Sequence, residues 1–186
     1  YIVGCVGGGE TSNEYLYSVD LTGNIRAEIS GGLNSLHPDE RGVRTVGVHP
    51  SPFAADVYLT VDSVGGGEDW GSRSNRRILY LPAPNDVATL YEQTIQDDFL
   101  DSSSMSPDGR SIGLLTYANG AAYSGFLEVI DLATGQRIII IGQESTPSEV
   151  CEASWEDEHT LFYTVDPTGE CIVGRGTRSV WGLDTA

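Results

Sequence analysis

One short pattern recurs along the chain: an apolar run that closes on aspartate and enters a turn. It reads Leu16-Tyr17-Ser18-Val19-Asp20-Leu21 before Thr22-Gly23-Asn24, then Leu127-Glu128-Val129-Ile130-Asp131-Leu132 before Ala133-Thr134-Gly135-Gln136, and finally Val180-Trp181-Gly182-Leu183-Asp184-Thr185-Ala186. A repeated strand-and-turn unit constrains architecture strongly and chemistry weakly. The 23 glycines, with Tyr, Val, Ile and Thr in short runs and no helical periodicity, favour short strands joined by tight turns.

Laid side by side, the units read as four successive strands. In the third unit these are 99–106, 112–117, 126–132 and 137–141, and Ser106-Pro107-Asp108-Gly109-Arg110 joins the first two. Proline presets φ there, aspartate bonds back to the backbone and glycine takes positive φ. The second unit spans 43–49, 57–62, 77–81 and 87–92, with Pro50-Ser51-Pro52 at its first turn. The fourth holds 150–155, 161–166 and 180–184, and the first holds 1–6, 16–21 and 25–29. The repeated aspartate position, at 20, 83, 131 and 184 with Ala83 standing in its place in the second unit, recurs after 63, 48 and 53 residues, a four-stranded repeat with loop insertions. Runs such as Ile138-Ile139-Ile140-Ile141 do not alternate, as befits strands covered on both faces.

The expected fold is therefore all-β: a β-propeller arc of about four blades built from four-stranded antiparallel sheets, at 1–30, 42–93, 97–142 and 148–186. The first and last blades are incomplete. Tyr1 in place of Met and the stop in mid-pattern at Ala186 read as a processed chain or a fragment, with further blades expected elsewhere in the full product.

Charge excludes several functions. The chain carries 27 acidic residues against 10 basic ones, for a net charge of -17, and every basic residue is arginine. That field repels phosphate backbones and anionic membranes, so nucleic acid is not an expected partner. Without lysine there is no P-loop, Schiff base or Ser-Lys dyad. The acidity reads as a solvated surface, or alternatively as adaptation to high salt. No apolar run is long enough to span a membrane as a helix.

Catalytic and metal motifs are missing. No Gly-x-Ser-x-Gly occurs, and Ser124 in Tyr123-Ser124-Gly125 is the nearest approach. His37, His49 and His159 stand apart beside turn residues, and the acidic clusters at 97–101, 156–158 and 166–170 lack calcium-loop spacing. No catalytic residue, metal site or cofactor is assigned. The strongest binding candidate is the loop Gly65-Gly66-Gly67-Glu68-Asp69-Trp70-Gly71-Ser72-Arg73-Ser74-Asn75-Arg76, where Glu68, Asp69, Trp70 and Arg73 offer an aromatic platform with polar contacts. The bland alternative is that Trp70 folds back to cover the blade edge.

Cys5, Cys151 and Cys171 are too few for a disulfide framework. Ile2-Val3-Gly4-Cys5 resembles a lipobox, but no basic or long apolar segment precedes it, and a strand reading is preferred. Cys151 opens one strand of the fourth unit and Cys171 lies in its later loop. An up-and-down sheet puts both at one end, where a disulfide is geometrically possible.

The stretch from Ser106-Pro107-Asp108-Gly109-Arg110 through Ile112-Gly113-Leu114-Leu115 to Asp131-Leu132-Ala133-Thr134-Gly135 resembles the TolB-type, WD40-like β-propeller repeat, and 1–24 looks like the same repeat. The second unit departs with Pro82-Ala83-Pro84 and the fourth with Ser154-Trp155-Glu156-Asp157-Glu158. The resemblance implies a non-catalytic module that binds a protein, peptide or glycan in a periplasmic or extracellular setting. It implies as an alternative the gating portion of a prolyl-oligopeptidase-type serine peptidase, or part of a polysaccharide lyase.

Overall fold

The computed structural model describes residues 2–6, 13–19, 22–27, 29, 31–36, 38, 40–54, 56–65, 74–95, 98–118, 125–141, 149–166 and 179–185. Among them the chain is all-β, with one short 3-10 turn at Leu33–Ser35. No helix there is long and apolar enough to cross a membrane. Two compact units divide the chain, Tyr1–Gln96 and Asp97–Ala186.

The first unit holds two antiparallel meanders. One comprises β1 (Ile2–Val6), β2 (Asn13–Val19) and β3 (Ile25–Ala27). The other comprises β4 (Glu40–Pro50), β5 (Val57–Gly65), β6 (Ser74–Ala83) and β7 (Asp86–Ile95), hydrogen-bonded in chain order. Alternation along β5 and β6 turns Val57, Leu59, Val61, Leu79 and Leu81 to one face, where they pack with Leu16, Ile29, Leu33 and Val43. On the opposite face Thr60, Asp62, Arg76 and Ile78 are buried as well. Both faces of this sheet are covered.

The second unit repeats the plan with β8 (Asp98–Met105), β9 (Ser111–Ala118), β10 (Gly125–Asp131) and β11 (Gln136–Ile141), then β12 (Glu149–Trp155), β13 (Thr160–Asp166) and β14 (Ser179–Asp184). Leu115, Tyr117, Leu127 and Val129 of one sheet pack with Val150 and Leu161 of the next, and Trp155 and Leu183 line the margin. Trp155 Nε1 donates to the Ser104 carbonyl at 3.1 Å across the same seam. The expected series of antiparallel sheets is present, four-stranded in the middle and three-stranded at either end.

The turns form by the chemistry their residues supply. Asp108 Oδ1 accepts from the Arg110 backbone at 3.1 Å, and Gly109 sits at φ 67. Asp131 Oδ1 accepts from the Thr134 backbone at 2.8 Å, and Gly135 sits at φ 67. In the last sheet, where the Pro-Asp-Gly turn is replaced, Asp157 takes over and accepts from the His159 and Thr160 backbones at 2.8 and 2.7 Å. The residues after Asp131 and Asp184 then close on the neighbouring turns: Leu132 N donates to Arg110 O at 2.9 Å, and Thr185 N to His159 O at 2.8 Å.

Edge position sets exposure. Leu127 and Glu128 in β10, flanked on both sides, are 0% exposed, whereas Val180 and Trp181 at the corresponding register of β14 are 68% and 55% exposed. Cys151 is buried at a bulge in β12 and is disulfide-bonded. Cys171 lies outside the described residues.

Candidate functional site

The loop bearing Glu68, Asp69, Trp70 and Arg73 lies outside the described residues, as do Ser124 and His37. Its two stems are described, and they are built stiffly. β5 and β6 stay paired to the base of the loop through Ser63↔Asn75 and Val64↔Ser74. Glu40, at the start of β4 and opposite Gly65, reaches across this end of the sheet. Its carboxylate accepts from both terminal nitrogens of Arg77, from Asn75 Nδ2 at 2.7 Å and from the Ser63 hydroxyl. Arg77 also donates through Nε to Glu92 Oε1 at 2.8 Å, and the Thr94 hydroxyl donates to Asn75 Oδ1 at 2.6 Å.

Four strands are thus tied together beneath the loop. Burial raises the Glu40 pKa, but hydrogen bonds from Arg77, Ser63 and Asn75 outweigh it and hold the carboxyl at about 2. For Arg77, burial opposes the charge, and the hydrogen bonds to Glu40 and Glu92 prevail and raise its pKa. Every partner is satisfied within the network, as a structural clamp requires and a reactive site does not. Ser63 hydrogen-bonds a carboxylate and an arginine, a setting that holds its hydroxyl in place and offers no imidazole base.

His49 stands on β4, where burial pushes its pKa down to about 4. His159 sits in the β12–β13 turn with Nε2 3.3 Å from Glu158. Among the described residues no three His, Cys, Asp or Glu side chains converge as a metal site would need. Asp157 is held below the usual carboxylate range by backbone donors, a turn role.

A shallow cleft of about 340 Å³ lies on the face of β12–β14 turned away from its core, lined by Glu152, Ser154, Phe162, Thr164 and Val180. Phe162 lies over Gly182, where an added Cβ would stand 3.0 Å from the ring.

The clamp beneath the loop was not among the candidates offered by the sequence. Its signal is visible in retrospect as Arg76-Arg77, two cations directly before the apolar run Ile78-Leu79-Tyr80-Leu81, with Glu40 well upstream in the chain. Polar partners so far apart carry no local spacing rule.

No protein-family model matches the chain, and no curated protein matches it. Among solved structures it is similar to a puromycin-hydrolysing peptidase of Mycobacterium tuberculosis, at 11% identity and a TM-score of 0.56. The match covers 98% of this chain and 29% of the peptidase chain. At that identity the likeness speaks for the fold alone, and with the successive meander sheets it makes this a β-propeller-type chain.

Proposed function

We propose that the chain is a non-catalytic propeller segment that binds a protein, peptide or glycan through the loop carrying Trp70. The observation behind this reading is the clamp of Glu40 and Arg77, which fixes both stems of that loop on a rigid sheet. A stiff base lowers the ordering cost of a binding loop. The TolB-type repeat resemblance points the same way, and the disulfide at Cys151 supports a setting outside the cytoplasm.

The likeness to a peptidase over nearly the whole chain favours one second reading, the propeller portion of a larger serine peptidase. In that case the nucleophile belongs to another part of the protein, and this segment screens access to it.

One pair of assays tests the first reading. Peptide and glycan arrays probed with the chain and with Trp70→Ala should show ligands that the variant loses by about tenfold or more. A serine-reactive fluorophosphonate should leave the chain unlabelled. Array binding indifferent to Trp70→Ala contradicts the loop assignment, and labelling contradicts the non-catalytic one.

A further inference from the structure

The end of β4–β7 opposite the clamp gathers aromatic and acidic groups that no role above uses. His49, Tyr58 and Tyr80 form a cross-strand row through the pairs His49↔Tyr58 and Tyr58↔Tyr80. The two tyrosine rings stand 5.1 Å apart between centroids, tilted by 33°, and both are half-buried. Asp56 precedes β5 at a turn closed by Ser51 N donating to Asp56 O at 3.0 Å. The Tyr80 hydroxyl donates to this carboxylate, while Asp56 Oδ1 is shielded from water and accepts no hydrogen bond. Asp86 opens β7 after the Pro84-Asn85 turn, where Asn85 takes φ 61, and its charge acts on the same hydroxyl. Phe53 stands 81% exposed at the neighbouring turn.

We propose that Tyr58 and Tyr80, together with the carboxylates of Asp56 and Asp86, form a receptor for one arginine side chain of a peptide or protein partner. The inference rests on the ligand-binding reading and adds a second contact to it. A guanidinium is planar, stacks on phenol faces and bonds a carboxylate through its edge, so it matches both halves of this site. A glycan would use the rings and leave the carboxylate charge uncompensated.

The local field agrees. The Tyr80 pKa is raised by its bond to Asp56, then by burial and by the charges of Asp56 and Asp86; that of Tyr58 is raised by burial and Asp56. His49 is kept neutral by burial near pH 7 and does not offset this charge. Arg44, Arg77, Arg110 and Arg137 each hold a carboxylate elsewhere: Asp62, Glu40 with Glu92, Asp108 and Glu128 respectively.

The test uses the full 186-residue chain and a short peptide with blocked termini carrying one arginine, beside the same peptide with citrulline. Citrulline keeps the shape and removes the charge. Titration followed through the ring protons of Tyr58 and Tyr80 should saturate with the arginine peptide. It should require about tenfold more of the citrulline peptide. Tyr80→Ala, and Asp86→Asn at its exposed turn, should each weaken the arginine peptide several-fold, while Tyr80→Phe keeps the ring and most of the affinity. Equal response to both peptides overturns the proposal, as does affinity unchanged in the Asp56→Asn, Asp86→Asn double variant. Array ligands that depend on Trp70 but leave these rings unshifted overturn this receptor alone and leave the loop reading standing.

Discussion

The Tyr117 hydroxyl donates to the Cys151 carbonyl at 2.9 Å, joining the second strand of one sheet to the first strand of the next within the Asp97–Ala186 unit. Both residues are buried. The bond satisfies a carbonyl at the β12 bulge, where ladder pairing is interrupted between Val150 and Glu152. Tyr117→Phe keeps the ring and removes the donor. Denaturant titration should show a loss of about 1 kcal/mol, and no loss would show that the carbonyl finds water instead.

Neighbouring positions on equivalent strands should respond very differently. Leu127→Ala empties a fully buried site between two sheets and should cost about 2–5 kcal/mol. Val180→Ala, at the exposed β14 edge, should stay within about 0.5 kcal/mol. Similar costs for the two would contradict the assignment of β14 as an uncovered edge.

The clamp predicts an acid limb. Glu40 has its folded pKa depressed from 4.5 to about 2, so its contribution is complete above about pH 4.5 and fades as the pH falls through 2. Glu40→Gln leaves Arg77 half-paired and should destabilise by about 3 kcal/mol near neutrality. It should also flatten the pH profile between those limits. A variant that retains the wild-type acid limb would remove Glu40 as its cause.

His49 acts in a different window. Burial lowers its pKa from 6.5 to about 4, so the unfolded chain binds a proton there that the folded chain refuses. Stability is full above about pH 6.5 and declines by up to roughly 1 kcal/mol per pH unit on the way down to 4. His49→Gln should erase that slope in unfolding midpoints measured from pH 7 to 4.5, and an unchanged slope would place the titrating group elsewhere.

Cys151 is disulfide-bonded, and we infer Cys171 as its partner from the chain order, since an up-and-down unit brings the start of its first strand and its later loop to one end. Thiol titration of the denatured, unreduced chain should find one free cysteine, Cys5, and peptide mapping should recover 151 linked to 171. Three free thiols, or linkage through Cys5, would contradict this.

Much of the fold is legible in the sequence because its determinants are local. Pro107-Asp108-Gly109 writes its own turn, and Asp131 with Gly135 writes another, so strand ends fall where those residues place them. Even the altered fourth unit kept an aspartate, Asp157, to cap its turn. The strands of β4–β7 extend beyond the apolar cores read at 43–49, 57–62, 77–81 and 87–92 because polar residues such as Glu40, Asn75 and Thr94 pair through side chains as well as backbone. Conversely β3 stops at Ala27, and Ile29, read as strand, is buried beyond the strand end.

The site was less legible. Glu40 and Arg77 meet only because β4 and β6 flank β5, and Tyr58 meets Tyr80 through strand register. Neither arrangement leaves a spacing in the chain, whereas the glycines around Trp70 announce a loop directly.

Every functional statement depends on the order of strands within these meanders. Nuclear Overhauser contacts between backbone protons test that order most directly. Cross-strand contacts should link Leu115 with Leu127, Tyr163 with Trp181, and Tyr58 with both His49 and Tyr80. Helical i to i+3 contacts through these segments, or β5 flanked by strands other than β4 and β6, would contradict the fold and the sites built upon it.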